Sequence, residues 1–304
     1  MADISISLFG KRLRNPVMNA SGTLGYGVEI EPLWPLDILG AHVSKGLSAL
    51  PYHGNPQPRI WEDRAGLMNS IGLQNIGVHR FFKEVFPLFK KRETPVIINF
   101  FGFSEDEYAR CAEAVPHADL VYALEMNLSC PNIKQGGICL GKRPEDVYRV
   151  VRRVKAVTDL PLLAKLTPEA ADVVAIAQAA HEAGADGVTV FNTLPAAAVD
   201  LEGGRMAARG GLSGPFLRPV ALRAVADIAS TLPIPIIGTG GIMNTSDALA
   251  FLMAGASAVQ VGTATLIDPF AIPRIVKGVA EYLDAHRISK IDEIKGKARD
   301  QDRA

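Results

Sequence analysis

Short apolar segments recur along the chain, and each is followed by a polar or glycine-rich stretch and then by a helical pattern. The segments are almost continuously apolar instead of alternating, which is typical of parallel strands that are buried on both faces. Eight of them predict strands, at residues 16–19, 41–44, 96–100, 123–128, 162–166, 187–192, 236–238 and 258–261.

Helical patterns separate these strands. Ser104 is a suitable N-cap for a helix over 105–115, and Pro144 occupies the first turn of a helix over 144–158. Four more helices are predicted over 170–183, 219–230, 246–254 and 270–285. Strands that alternate with helices in this way indicate an α/β protein with a parallel sheet.

Two architectures fit that alternation, a (β/α)8 barrel and a doubly wound sheet. A doubly wound sheet usually has fewer strands and carries its phosphate-binding glycines after the first strand. Here the loop after the first strand, SGTLGYG, does not match that fingerprint, and the glycine loops that resemble phosphate cradles follow the seventh and eighth strands. We therefore predict an α/β fold, a (β/α)8 TIM barrel, as a single domain over residues 1–304.

Two segments fall outside the repeating pattern. Residues 196–211 are rich in glycine and small residues, which predicts an insertion loop. The polar tail from about residue 289 is predicted to be frayed.

The chain has 32 Lys and Arg residues against 32 Asp and Glu residues, so its formal net charge is +0. A nucleic-acid-binding protein would usually show a basic face, so that class is not expected. No apolar segment reaches the roughly 18 residues of a membrane span, and the first residues resemble neither a signal peptide nor a transit peptide. Three cysteines without a CxxC pair exclude a disulfide framework and a zinc or iron–sulfur site built from this chain alone. We therefore expect a cytoplasmic protein without a metal, a membrane anchor or a nucleic-acid partner.

The ends of the predicted strands carry the candidate chemistry. In a barrel these positions all face one mouth, where catalytic residues gather. A Lys or Asn at one strand end is usually a cap or a solvated loop residue, but such residues recur at six consecutive strand ends. Together they indicate a site rich in hydrogen-bond donors, which suits a planar, polar, anionic ligand. In chain order the residues are Asn19, Ser21, Lys45, Asn99, Asn127, Lys165 and Asn192.

Glycine-rich loops after the last two strands indicate a phosphate site. These loops are GTGGI at 238–242 and VGTA at 261–264, and GGLSGP at 210–215 is a third candidate. Glycine lets the backbone approach a phosphate closely, and barrels often bind phosphate between the loops after strands seven and eight. Each loop alone could be a simple tight turn, but two loops in this place predict a cofactor that carries a phosphate.

The segment EMNLSCPNIKQGG, residues 125–137, places Cys130 just beyond a strand, where Pro131 prevents the strand from continuing. A thiol at the mouth could act as nucleophile, metal ligand or general base, and the metal alternative lacks Cys or His partners nearby. A lone cysteine is more often a small buried hydrophobic residue without a chemical role. We predict that role for Cys111, which lies in the helical pattern YARCAEAV. Cys130 instead lies among polar residues that could support a thiolate.

Eight motifs together resemble class 1 dihydroorotate dehydrogenase. They are NSIGLQNIG at 69–77, NLSCPN at 127–132, SKG of the second strand, AKLTP, FNTL, GGLSGP, GTGGI and VGTA. The match runs from about residue 8 to residue 282 in the family's order and spacing. GLQN and SCPNIKQGG are most similar to the NAD-linked class 1B catalytic subunit, whereas the fumarate-using class 1A more often has GLPN. The run NFFGFS, residues 99–104, departs from the family by carrying three phenylalanines near the mouth.

The resemblance implies a barrel that contains flavin mononucleotide (FMN) and oxidises dihydroorotate to orotate in pyrimidine biosynthesis, with Cys130 as the catalytic base. The residues that would line the flavin are Ser21, Lys45, Gly46, Asn99, Asn127, Lys165 and Phe191. The residues that would hold its ribityl chain and phosphate are Gly214, Gly240, Gly241, Gly262 and Thr263. The residues that would bind the pyrimidine are Lys45, Asn69, Ser70, Ile71, Gly72, Leu73, Asn127, Asn192 and Thr193.

The resemblance to class 1B also implies a partner. Electrons would reach NAD through a second subunit that carries FAD and an iron–sulfur cluster, in a heterotetramer of two catalytic and two electron-transfer subunits. One alternative keeps the flavin barrel but uses fumarate as the acceptor, as in class 1A, or another pyrimidine as the substrate, as in dihydropyrimidine dehydrogenase. A second alternative is a non-enzymatic subunit that binds FMN.

Overall fold

The computed structural model describes residues 2–91, 94–129, 131–132 and 138–298. Its strands, numbered in chain order, are β1 (Ile6–Leu8), β2 (Lys11–Leu13), β3 (Val17–Asn19), β4 (His42–Val43), β5 (Ile60–Asp63), β6 (Gly66–Asn69), β7 (Val96–Phe100), β8 (Val121–Asn127), β9 (Pro131–Asn132), β10 (Ile138–Cys139), β11 (Leu162–Lys165), β12 (Gly187–Val190), β13 (Leu194–Asp200), β14 (Arg205–Ser213), β15 (Ile236–Thr239) and β16 (Ala258–Val261).

Eight parallel strands form the central sheet, in the spatial order β3-β16-β15-β12-β11-β8-β7-β4. The sheet closes on itself between its two outer strands. Met18 bridges Ala41 in parallel fashion, and the Asn19 side chain both donates to the Val43 carbonyl (2.8 Å) and accepts from the Val43 N–H (2.9 Å). The predicted (β/α)8 TIM barrel is therefore confirmed, and the ends of the eight strands lie within two residues of the predicted bounds.

Helices follow most of the barrel strands on the outside. They are α1 (Val78–Arg80), which continues through Phe81–Val85 and Phe86–Lys91, α2 (Glu105–Glu113), α3 (Pro144–Lys155), α4 (Val173–Glu182), α5 (Arg218–Thr231), α6 (Thr245–Ala254), α7 (Thr263–Ile267) and α8 (Ala271–Ala285). The Ser104 hydroxyl accepts from the Glu107 N–H at 3.2 Å, which confirms Ser104 as the N-cap of α2. The connection from β3 to β4 carries only short 3₁₀ turns. In the part of the chain that the structure describes, no helix combines the length and the apolar character needed to cross a bilayer.

One continuous hydrophobic cluster runs from Ile6 to Ile294 and fills the space between the strands and the outer helices. The amino-terminal end of the barrel is covered by the β1–β2 hairpin, which the sequence did not predict. The Tyr122 hydroxyl at the start of β8 donates to the Leu8 carbonyl, so this hairpin is attached directly to a barrel strand. The opposite end, where the carboxyl ends of the strands meet, is left for ligands.

A second, antiparallel sheet in the order β13-β14-β6-β5 is built from the long connections of the barrel. It corrects the prediction of an insertion loop at 196–211, because those residues lie mostly in the β13–β14 hairpin. Side-chain exposure alternates along β13, as expected for a strand with one covered face. The sequence LPAAAVD hides this alternation because alanine occupies both inner and outer positions.

The segment after residue 289 also differs from the expected frayed tail. Ile291 and Ile294 are 2% and 1% exposed, and the Ala298 N–H donates to the Met253 carbonyl at 3.1 Å. Two isoleucines three positions apart place both apolar side chains on one side of the turn at Ile291–Glu293. The sequence alone predicted a frayed tail because the residues around these two isoleucines are polar.

We expect Ile294→Ala to lower the free energy of unfolding by about 2–5 kcal/mol, because it removes a buried side chain from a packed site. Lys297→Ala, an exposed position in the same segment, should change it by less than about 0.5 kcal/mol. Urea unfolding followed by circular dichroism measures both values. Equal midpoints for the two variants would show that the tail does not contribute to the fold.

Candidate active site

The polar residues predicted at the strand ends do meet at the carboxyl end of the barrel. Asn127 at the end of β8 is opposite Lys165 at the end of β11, and Lys165 is opposite Thr189 on β12. Asn99, near the end of β7, is opposite Glu125 on β8. Neighbouring parallel strands in register bring these side chains together at the carboxyl end of the barrel.

Asn127 and Asn192 form a hydrogen-bonded pair at this end of the barrel. The Asn192 amide donates to the Asn127 side-chain oxygen at 2.9 Å, and the Ser129 N–H donates to the same oxygen at 3.1 Å. The Asn192 side-chain oxygen accepts from the Thr193 N–H at 2.7 Å. Both amides are therefore held in fixed orientations, as a site for a planar polar ligand requires.

Ser21, Lys45 and Gly46 form the wall made by the loops after β3 and β4. The Ser21 hydroxyl donates to the Ser44 carbonyl at 2.9 Å, and Lys45 is half-buried. Burial, followed by the nearby Arg59 charge, lowers the pKa of Lys45, and Glu29 partly offsets this. A side chain at Gly46 would begin 2.9 Å from the Asn99 side-chain oxygen, so a larger residue there would displace Asn99.

The phenylalanines of NFFGFS belong to the packing of this wall. Phe101 is 1% exposed and lies directly behind Gly46, where an added Cβ would be 3.4 Å from its ring. Phe100 contacts Tyr108 edge-on, with ring centroids 6.1 Å apart. The departure from the family pattern therefore changes the core behind the mouth.

The predicted pyrimidine-binding loop, residues 69–73, is attached to the second sheet. Asn69 is paired with Gly211 across β6 and β14, and its amide donates to the Gly211 carbonyl at 3.2 Å. Gly211 also lies against Thr193, where a Cβ would collide with the Thr193 hydroxyl. Asn69 and Thr193, which are far apart in sequence, thus meet at one glycine. The remaining residues of the loop are partly exposed, and Asn55 donates to Ser70 at 3.0 Å.

The glycine loops converge as the sequence predicts. A Cβ at Gly241 would lie 2.9 Å from the Gly214 carbonyl and 2.7 Å from the Arg218 N–H. The Thr263 hydroxyl donates to the Ser213 hydroxyl at 2.8 Å, which brings the loop after β16 to the same place. Gly240 and Gly241 have φ values of 120° and 76°, in the left-handed region that favours glycine. The three loops meet in front of α5, where backbone N–H groups at a helix N-terminus suit an anion.

Phe191 and Gly262 complete the predicted flavin residues. Phe191 is 5% exposed, and its N–H donates to the Thr239 carbonyl at 2.8 Å, next to the GTGGI loop. Gly262 precedes α7, and its carbonyl accepts from the Thr265 hydroxyl at 2.8 Å. Phe191 is therefore attached to the GTGGI loop, and Gly262 lies in the VGTA loop itself.

Sequence reasoning missed a buried polar layer inside the barrel. Glu125, Thr189 and Gln260 are each 0% exposed, and Thr189 and Gln260 both donate to the Glu125 carboxylate beneath the mouth. Barrel interiors are usually filled by Val, Ile and Leu, so polar residues there need a reason. The signal was a polar residue in the interior of an apolar segment, Glu125 in ALEMNL and Gln260 in AVQV.

The two cysteines with separate predictions have different outcomes. Cys111 is buried, and burial raises the pKa of its thiol to about 12, which confirms an inert core residue. Cys130 lies outside the described residues, so its role as catalytic base stays a prediction.

Comparison with known proteins identifies the family. A sequence model of the dihydroorotate dehydrogenase family matches residues 3–283. Relatives from Citrifermentans bemidjiense and Geobacter sulfurreducens are each 46% identical over 297 residues, which is 97% of this chain and 97% of each relative. Both are named as the catalytic subunit of dihydroorotate dehydrogenase B (NAD(+)). "Catalytic subunit" implies that each relative has a partner subunit.

A solved structure supports the fold. The dihydroorotate dehydrogenase of Eimeria tenella, crystallised with ferulenol, superimposes with a TM-score of 0.80 at 22% identity, over 97% of this chain and 88% of that one.

The chain has the barrel and the mouth of a flavin-dependent oxidoreductase. It belongs to the dihydroorotate dehydrogenase family. The family confirms FMN as the cofactor and the oxidation of dihydroorotate, in pyrimidine biosynthesis, as the reaction.

We expect Gly241→Ala to lower the affinity for FMN at least tenfold. The left-handed backbone disfavours alanine by about 1–2 kcal/mol, and the added Cβ would push against Gly214 and Arg218. Titration of the apoprotein with FMN, followed by flavin fluorescence, measures the change.

The matched control is Gly204→Ala at the tip of the β13–β14 hairpin. Gly204 has a φ of 59°, but nothing lies within 4 Å of its added Cβ. It carries the same kind of backbone strain without the collision, so its affinity for FMN should be unchanged. An equal loss in both variants would rule out the close approach of the loops as the cause.

Proposed function

We propose that this chain is the catalytic subunit of an NAD-linked, cytoplasmic dihydroorotate dehydrogenase of class 1B. The observation that supports this best is the joint placement of three features at one barrel mouth. These features are the asparagine pair, the half-buried Lys45 and the converging glycine loops. A planar, anionic pyrimidine and a phosphate-bearing flavin need these groups together. The whole chain, residues 1–304, would serve as one FMN-binding domain.

The residues present fit the flavin. Gly214, Gly241 and Thr263 lie close together at the N-terminus of α5, where backbone N–H groups would bind the phosphate, and Gly240 and Gly262 would complete this end. Asn99, Lys165 and Asn127 would contact the ring from the strand ends, with Ser21, Lys45, Gly46 and Phe191 around its edges. The Lys165 ammonium would stabilise negative charge that collects on the reduced ring.

The pyrimidine would be bound by amides and one positive charge. Lys45 would pair with its carboxylate, and Asn69, Asn127 and Asn192 would each donate to or accept from its polar edge. Ser70, Ile71, Gly72, Leu73 and Thr193 would close around it. The contact of Asn69 and Thr193 with Gly211 supports this assignment, because it brings both halves of the binding surface together.

The oxidation removes a proton from C5 and a hydride from C6 of dihydroorotate, which gives orotate. The bound FMN supplies the acceptor for the hydride. The Cys130 thiolate would take the proton at its sulfur, on the side of the substrate away from the flavin. An ordinary cysteine pKa of about 8.5 needs only a modest fall for this role near neutral pH.

Electrons then have to leave the chain. The three cysteines of the sequence form no cluster motif, so a partner carrying FAD and an iron–sulfur cluster would pass electrons to NAD. The names of the relatives support a partner, and we propose a heterotetramer of two catalytic and two electron-transfer subunits.

The proposal is tested by anaerobic addition of dihydroorotate to the purified yellow protein. Bleaching of the flavin band is expected within the time of mixing. The bleached protein should then be reoxidised by NAD only after the electron-transfer subunit of a relative is added. Rapid reoxidation of the single chain by fumarate would favour class 1A. A flavin that stays oxidised after dihydroorotate is added would indicate that the substrate is another pyrimidine.

Cys130→Ser serves as the variant in the same experiment. It should keep its flavin but bleach at least a hundredfold more slowly at neutral pH, because a serine hydroxyl is a much weaker base. Cys111→Ala, which removes the buried thiol, is the matched control and should bleach at the normal rate. Normal bleaching of Cys130→Ser would remove Cys130 from the mechanism.

Lys45 predicts a pH dependence for orotate binding. The ammonium pairs with the orotate carboxylate only while it is protonated, and its pKa is below the usual 10.5. The dissociation constant of orotate should therefore rise as the pH increases through that lowered pKa. Lys45→Met should weaken binding about tenfold at neutral pH and abolish this alkaline rise. If the dissociation constant still rose at alkaline pH in Lys45→Met, a group other than Lys45 would be responsible for the rise. Difference spectra of the bound flavin measure the constant.

A further inference from the structure

A buried carboxylate, Glu125, lies beneath the barrel mouth with four hydrogen-bond donors around it. One of its oxygens, Oε1, accepts from the Asn99 amide at 2.7 Å and from the Lys165 ammonium at 3.4 Å. The other, Oε2, accepts from the Thr189 hydroxyl at 2.8 Å and from the Gln260 amide at 2.5 Å. All five side chains are at least nine-tenths buried.

The donors around Glu125 suit an ionised carboxylate. An ammonium and an amide NH2 can only donate, so Oε1 has to accept from both Asn99 and Lys165. An ionised carboxylate accepts at both oxygens. An amide in its place would direct its own NH2 donor at one of the donors that surround Glu125. Burial of this charge is tolerable because Lys165 carries the opposite charge within hydrogen-bond reach.

The network also fixes what Lys165 and Asn99 can do. The Gln260 side-chain oxygen accepts from the Lys165 ammonium at 3.3 Å, so Gln260 bridges both members of the ion pair. Asn99 uses its NH2 on Glu125, and its oxygen is therefore directed toward Gly46. Glu125 thus determines which atom Asn99 presents at the mouth and where the Lys165 charge lies.

We infer that Glu125 is a positioning residue that sets the reduction potential of the bound flavin through Lys165. This inference rests on the proposed roles of Lys165 and Asn99 in contacting FMN. Charges near a flavin tune its electronics, and they act strongly in a buried, low-dielectric site. The Glu125 carboxylate offsets part of the Lys165 charge, so it makes reduction of the flavin less favourable than an unopposed lysine would.

The test is a redox titration of the FMN in the purified holoprotein, with Glu125→Gln compared with the wild type. The variant keeps the shape of the side chain and removes its charge. The equilibrium constant for two-electron reduction should rise at least tenfold, which corresponds to an increase of about 30 mV in potential. A purely structural role would loosen FMN without raising its potential. An unchanged or lower potential overturns the inference.

A double variant guards against a failure of Glu125→Gln to fold. Removing one member of a buried ion pair is strongly destabilising, whereas replacing both is often tolerated. The pair Glu125→Gln with Lys165→Met leaves the net charge of the polar layer unchanged. Because Glu125 offsets only part of the Lys165 charge, the double variant should have a lower potential than the wild type. A double variant whose potential equalled or exceeded that of the wild type would show that Lys165 does not act on the flavin, and it would overturn the inference.

The matched control is Glu281→Gln on the exposed face of α8, where Glu281 forms a surface ion pair with Lys277. It removes the same charge far from the mouth and should leave the potential unchanged.

The wild-type protein separates the two proposals. A wild type that holds no FMN, or that dihydroorotate does not bleach, would overturn the proposed function. A normal wild type with an unshifted Glu125→Gln would overturn only this inference.

Discussion

Closure of eight parallel strands into a ring is the constraint on which the site depends. A parallel sheet brings the carboxyl ends of all its strands to the same side, and closure turns that edge into a mouth. Asn19 supports closure by exchanging two hydrogen bonds with Val43. Asn99, Asn127 and Lys165, which are spread over more than sixty residues of sequence, become neighbours only because of this ring.

The polar layer inside the barrel is energetically costly to bury. Burying an ion pair and two amides is unfavourable unless every donor and acceptor finds a partner. Glu125 meets this condition with four donors, and Gln260 contacts both charges. A layer of aliphatic side chains would fill the same space at less cost, so the ion pair is better explained by the electrostatics of the mouth than by stability.

The sequence was sufficient for features that depend on local pattern. Continuous apolar segments located all eight barrel strands, and positional glycines such as Gly241 located the loops that converge on Gly214. It was insufficient where the reason for a residue lies across the barrel. Glu125 was hidden in an apolar strand because its partners come from four other strands. The β13–β14 hairpin was missed because alanine and glycine give no hydrophobic alternation, and the tail because two isoleucines were outweighed by their polar neighbours.

The pairing of β14 with β6 makes the hairpin and the Asn69 loop parts of one sheet. Its outer corner carries Val199 and Leu201, which are 59% and 89% exposed, while its inner edge holds Asn69 beside Thr193. Because ladder hydrogen bonds join β14 to β6, a displacement of the hairpin also displaces the strand that carries Asn69. The exposed corner and the candidate site are thus two ends of one mechanical unit.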